Sequence, residues 1–352
     1  MRVQGDLAAL HSDSLQDDGR ISLNDQNPYV PIHFATNSVA THRCLWSLLA
    51  ISILMLPTRS ADAFGFRGDM LVADFAESKV LAFNPSNGAY VGLFADLGSG
   101  AAQTLAEGPN GDIYVSSPDT GRVVAYDGDT GQIVSGFQLS PLANYPSGLT
   151  FDSSGHLYVI NQLAGTVNQY DPTTGALIGT TLGNVGTGAV GIAYSGGSLY
   201  VTDSAGIQQF NLTGHLLNTF GGSFFQITTG PNGNLYAADG NSSVYEFTPS
   251  GTQVGSGPFV TGVTGVYGAG FGPDGSLYAA SLNNFVDKFD SNGNPVGNSP
   301  FFTSPFGSTP GLSSVIYDAV PASVPEPSTL AMLTIAALAI PLRMRSFTRT
   351  SR

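Results

Sequence analysis

Residues 148–183 read GLTFDSSGHLYVINQLAGTVNQYDPTTGALIGTTLG. Four short runs can be marked off: GLTF, HLYVI, TVNQY and ALIGTTL. Each is β-branched, aromatic or aliphatic. Between them stand DSSG, NQLAG and DPTTG, built from the residues that open and close turns. The stretch therefore predicts four antiparallel strands in sequence order.

The same unit recurs along the chain. Its second strand reads DMLVAD at 69–74, DIYVSS at 112–117, HLYVIN at 156–161, SLYVTD at 198–203, NLYAAD at 234–239 and SLYAAS at 276–281. The third strand carries one aromatic per copy: Phe83, Tyr126, Tyr170, Phe210, Phe247 and Phe289, spaced 43, 44, 40, 37 and 42 residues apart. A period near 40 with four strands per unit predicts a β-propeller rather than independent hairpins. Alternation places Leu157 and Val159 on one face and Tyr158 on the other. Both faces are apolar, as a blade sandwiched between two neighbours requires. The unit at 69 lacks a first strand, and a spare copy, LSSVIYDAV, stands at 312–320. The expectation is an all-β, six-bladed propeller of four-stranded antiparallel blades, closed by that C-terminal strand. Closure removes the edge that would otherwise pair with other molecules.

Composition agrees with this architecture and limits the function. Of 352 residues, 45 are Gly and 21 Pro, while 11% are charged. Between residues 64 and 324 only Arg67, Lys79, Arg122 and Lys288 are basic, and the net charge of the span is −14. Such a surface repels phosphate backbones, which argues against nucleic-acid binding. Cys44, the sole cysteine, lies ahead of the repeats. The folded domain is thus expected to rely on its core and not on disulfides.

The two ends read as addresses. His42-Arg43 precedes an apolar run of 13 residues at 44–56, followed by PTRSADA. This pattern predicts a secretory signal cleaved at Ala61-Asp62-Ala63, with export through the Sec machinery. The polar stretch before it is anomalous for a signal peptide and suggests a start site placed too far upstream. Beyond residue 320 come PASVPEPS, an apolar run of 14 at 329–342, and Arg343, Arg345, Arg349 and Arg352. The run is marginal for a full span, so transient membrane insertion is expected. The chain divides into an extension (1–40), a signal helix (41–63), the propeller (64–320), a linker (321–328) and an apolar sorting helix with a basic tail (329–352).

Two resemblances follow from these residues. Pro325-Glu326-Pro327, the apolar run and the arginines resemble the PEP-CTERM sorting signal of Gram-negative bacteria. That resemblance covers the last 29 residues. It implies recognition by an exosortase, delivery to the cell envelope or exterior, and an association with extracellular polysaccharide or another surface protein. Pro341 inside the run departs from the usual pattern. The repeats over 69–320 resemble NHL-type propellers, whose units have the form G-I-A-V-D-x-x-G-x-L-Y-V-A-D followed by V-x-x-F-D. Among six-bladed relatives are metal-dependent lactonases and a streptogramin lyase, so a hydrolase or lyase is the alternative to a non-catalytic binding or scaffold protein. No catalytic residue and no Glu-Asn-Asp metal set is assigned here.

Little else in the sequence carries chemistry. There is no G-x-S-x-G elbow and no Walker A motif. His156 and His215 read as turn residues. Asp127-Gly128-Asp129 and Asp171-Pro172-Thr173-Thr174-Gly175 raise calcium, but they lack the closing Glu of an EF-hand. Their position is held in the other units by Asn84, Asn211, Thr248 and Asp290, which marks hairpin-turn chemistry. Asp74, Asn161, Asp203 and Asp239 end second strands. They read first as Asx turns, and with Tyr145 and Tyr267 they form the candidate ligand rim, where aromatic faces beside amides and carboxylates suit sugars. Function is expected where the copies differ: 138–147, 183–188 and the shortened fourth unit.

Overall fold

Short apolar runs punctuated by Gly, Asx and Pro turns form 23 strands in the computed structural model, which describes residues 65–306 and 311–319. Blade one contains β1 (Met70–Asp74), β2 (Lys79–Phe83) and β3 (Tyr90–Asp96). Blade two contains β4 (Leu105–Glu107), β5 (Ile113–Ser117) and β6 (Arg122–Tyr126). Blade three contains β7 (Pro146–Phe151), β8 (Leu157–Asn161), β9 (Thr166–Tyr170) and β10 (Leu177–Gly183). Blade four contains β11 (Ile192–Ser195), β12 (Ser198–Asp203), β13 (Gly206–Asn211) and β14 (Leu216–Phe220). Blade five contains β15 (Ile227–Thr229), β16 (Leu235–Ala238), β17 (Ser243–Phe247) and β18 (Val260–Thr261). Blade six contains β19 (Val266–Phe271), β20 (Leu277–Ser281), β21 (Phe285–Phe289) and β22 (Phe302–Thr303). The last strand, β23 (Leu312–Tyr317), returns to blade one and pairs antiparallel with β1, Met70 opposite Tyr317 and Val72 opposite Val315. The expected closure and the six blades are both present. Blade two departs from the expectation, with three strands among the described residues. The signal and sorting helices lie outside the described residues.

Packing follows the alternation of the second strands. Met70 and Val72 join the core against blade six, while Leu71 and Ala73 join the core against blade two. Leu157 and Val159 face blade two, and Tyr158 and Ile160 face blade four. Six apolar clusters thus fill the six spaces between blades. Truncating one such buried side chain costs about 2–5 kcal/mol.

Turns confirm the Asx reading. Asp171 Oδ1 accepts from the Thr173 and Thr174 amides at 3.0 and 2.8 Å, and Asp290 Oδ1 accepts from those of Asn292 and Asn294 at 2.9 and 2.8 Å. These bonds hold both carboxyls below the usual carboxylate range. The turns also link blades. The hydroxyls of Tyr114, Tyr200 and Tyr278 donate to the carbonyls of Pro172, Pro249 and Pro85, each in the following blade, at 2.7, 2.9 and 2.6 Å. Tyr158 and Tyr236 instead donate to Asp152 and Glu246 within their own blades, at 3.0 and 2.9 Å.

Candidate functional site

The first strands of the blades, β23, β4, β7, β11, β15 and β19, surround a central channel of about 280 Å³. Six strands converging on one axis leave room for small side chains. Thr104, Thr150, Thr228, Ser314 and Ala193 line it, together with aliphatics such as Ile192 and one carboxylate among the described lining residues, Glu107. The glycines of β19 follow from the same crowding. A Cβ on Gly268 would sit 2.4 Å from the Ser313 carbonyl oxygen, and one on Gly270 would sit 2.1 Å from that of Val315.

At the end where the first strands finish stands Arg67, paired with Glu107 of β4. Its guanidinium reaches Asp318 at 2.8 Å, Asp129 at 3.0 Å and Glu107 at 3.3 Å, and it also donates to the Gly111 carbonyl. Glu107 Oε2 accepts from the Ala319 amide at 3.2 Å. Burial raises the Glu107 carboxyl above its ordinary value. Burial also pushes Asp318 up to about 7; Arg67 opposes this, and Glu107 and Asp129 reinforce it. The cluster joins the residues flanking the first and last strands of the ring to blade two, and so acts as a clasp.

The opposite mouth has another character. Gln226, just ahead of β15, donates through Nε2 across the channel to Thr104 Oγ1 at 2.9 Å. Gln103 donates through Nε2 to the Tyr267 hydroxyl at 3.1 Å. The Tyr267 ring lies 5.1 Å from that of Phe225, whose exposure is 39%. Burial lifts the Tyr267 phenol above its ordinary value, with Gln103 pulling back and the nearby Tyr145 adding to the rise. Tyr145 itself has a φ of 60°, a left-handed conformation that costs a bulky residue about 1–3 kcal/mol. The buried Gln103 Oε1 accepts no hydrogen bond among the described residues.

The remaining rim residues stand apart from this cluster in role. Asp74 accepts from the Glu77 amide at 3.1 Å and from the Ser304 hydroxyl at 3.0 Å, and burial raises its carboxyl. Asn161 accepts from the Asn144 amide at 3.3 Å. Asp203 accepts from the Ala205 amide at 2.7 Å and from Gln208 Nε2 at 2.6 Å. Asp239 accepts from the amides of Asn241, Ser242 and Ser243 at 2.8, 3.0 and 3.0 Å. Their side chains shape the loops of the mouth. Gln103, Thr104, Gln226 and Phe225 were not singled out from sequence. By strand pairing, Gln226 stands where other first strands carry Gly148, Gly191 and Gly268, and Gln103 stands where they carry Ser147, Val190 and Ser313, a polar amide among small or aliphatic residues.

His156 pairs through Nδ1 with Asp152 at 3.1 Å, and His215 is exposed beside its turn. No group of three or more His, Cys, Asp or Glu among the described residues is placed to hold a metal ion. No helix of the described residues is long and apolar enough to cross a membrane. Pro325, Glu326, Pro327, Ala61 and Ala63 lie outside the described residues.

Comparison with solved structures supports the architecture. The chain is similar to a Bacteroides caccae protein of unknown function, with 15% identity and a TM-score of 0.52 over 70% of this chain and 97% of that one. It is also similar to a chain of a nidogen/laminin complex, with 13% identity and a TM-score of 0.59 over 70% and 97% of the two chains. A virginiamycin B lyase from Staphylococcus aureus matches at 13% identity and a TM-score of 0.47, over 69% and 86%. No protein-family model and no curated protein matches the chain by sequence. At these identities the likeness concerns the fold.

Proposed function

We propose that the protein is an exported, non-catalytic β-propeller of the NHL type that binds neutral polysaccharide at the mouth bearing Tyr145 and Tyr267. In this reading the Sec machinery exports it, and an exosortase sorts it through the PEP-CTERM tail to the cell surface or extracellular matrix. The observation that carries the binding assignment is the Tyr267 ring set against the partly exposed Phe225 ring, with the Gln103 amide bonded to the Tyr267 hydroxyl. The C–H face of a sugar covers such an aromatic ring while its hydroxyls bond neighbouring polar groups. The net charge of −14 over residues 64–324 favours neutral over anionic glycans.

The test is an array of neutral and anionic glycans probed with the purified domain and with Tyr267→Ala. Retention of neutral glycans by the parent, lost by at least tenfold in the variant, is expected. Retention unaffected by Tyr267→Ala, or confined to anionic glycans, would overturn the assignment.

A further inference from the structure

The third strands share a position two residues ahead of their closing aromatic. It holds Leu81, Val124, Asn168, Gln208 and Asp287 in the other blades and Tyr245 in blade five. Tyr245 is half-buried on the side of blade four, its ring 5.6 Å from that of Phe224. The chain that could cover it is short. Phe210 and Phe247 stand 37 residues apart, against 40 to 44 for the other spacings of this aromatic. After β14 the chain passes through Gly221-Gly222-Ser223, all three exposed. A Cβ on Gly221 would sit 2.8 Å from the Phe224 ring, whereas one on Gly222 would meet nothing within 4 Å. The short, bare loop leaves an open cavity of about 400 Å³, whose walls carry Tyr245 and Phe224 together with the polar Ser223, Asp239 and Gln253. That volume is in the range of small-ligand sites.

The cavity adjoins the mouth. Phe224 and Phe225 are consecutive and diverge: Phe224 is buried against Tyr245 and Phe247, and Phe225 is exposed beside Tyr267. The Phe225 ring also lies on the backbone of Gly240, where a Cβ would come within 2.2 Å of it. Gly240 follows Asp239, which is already part of the cavity wall. Tyr267, Phe225, Gly240, Asp239 and Tyr245 therefore form one path, from the first strand of blade six to the third strand of blade five.

We propose that this cavity is a second sugar subsite, and that mouth and cavity hold two stretches of one neutral polysaccharide chain; this rests on the glycan reading of the mouth. The C–H face of a sugar unit packs on the Tyr245 ring, and its hydroxyls reach Ser223, Asp239 and Gln253. Asp239 and the acidic surface around it disfavour an anionic unit. Two subsites that share one ligand bind it far more tightly than either does alone, provided the ligand spans both. Affinity should therefore depend on chain length.

The test is calorimetric titration of the full chain with cello-oligosaccharides and with isomalto-oligosaccharides of two to eight units. In one of the two series, affinity that rises at least tenfold from disaccharide to octasaccharide is expected. Tyr245→Ala is expected to weaken the octasaccharide at least tenfold. Gly222→Trp, which plugs the cavity from an exposed position clear of the core, is expected to do the same and to leave the disaccharide unchanged. Tyr267→Ala weakens both lengths. Equal binding at every length, or an octasaccharide indifferent to Gly222→Trp, overturns the second subsite and leaves the mouth standing. No binding by the parent at any length overturns the glycan reading and the subsite together.

Discussion

Single residues set both the mouth and the clasp. At the clasp, the folded-state pKa of Asp318 lies above its unfolded value near 4, so the folded state holds the extra proton. The stabilisation it gives is fully present below about pH 4 and is lost as pH rises to about 7. Asp318→Asn is therefore expected to flatten the fall in stability over that window, as measured by urea midpoints at several pH values; an unchanged slope would contradict the assignment. At the turns, Gly131 has a φ of 67°, and a Cβ there would meet the Phe94 carbonyl oxygen at 2.1 Å. Gly131→Ala should cost more than about 1 kcal/mol in chemical denaturation, against a few tenths for Gly222→Ala, where nothing stands within 4 Å. The sequence marks such glycines as turn residues but hides which ones touch a neighbouring blade. Tyr145 and Tyr267 were readable as loop aromatics. Their meeting with Gln103 was not, because 164 residues separate Gln103 from Tyr267 and only ring closure brings them together.

Elements carry the stability. The second strands were legible because each must satisfy two neighbours at once, and that demand writes apolar residues on both faces. β23 was legible because a missing strand at one end matched a spare at the other. The three-stranded blade was not: QIVSGFQLS begins like other fourth strands, and what diverts it is bonding to blade three at Gln138 and Ser140. The tyrosine staples were overlooked, although Pro at every second turn (Pro85, Pro172, Pro249) marks them in the sequence. Tyr200→Phe removes a bond between blades and leaves the Pro249 carbonyl without it, a loss of about 1 kcal/mol. Thermal unfolding of Tyr200→Phe should show this as a lowered Tm, and an unchanged Tm would assign the hydroxyl no structural role. Ending the chain at residue 306 removes β23 and exposes the edge of β1 and the face of β19 packed on it. Loss of a single cooperative transition in calorimetry is the expected outcome.

At the scale of the whole molecule, the two ends of the channel divide the work. One end gathers charge to join the first and last strands of the ring to blade two, and the other gathers amides and aromatic rings. The acidic exterior makes anionic partners unfavourable at long range, so binding of a neutral glycan should vary little with salt. The sequence indicated which face to inspect through Tyr145, Tyr267 and the Asx residues ending second strands, yet it could not distinguish side chains that shape loops from those left to meet a ligand. The most direct test is calorimetric titration of the propeller domain with a neutral oligosaccharide, with and without a metal chelator, followed by analysis of the recovered sugar. The account predicts saturable binding that the chelator leaves unchanged, is weakened at least tenfold by Tyr267→Ala, and returns the sugar intact. Binding abolished by the chelator, or a cleaved sugar, would contradict it.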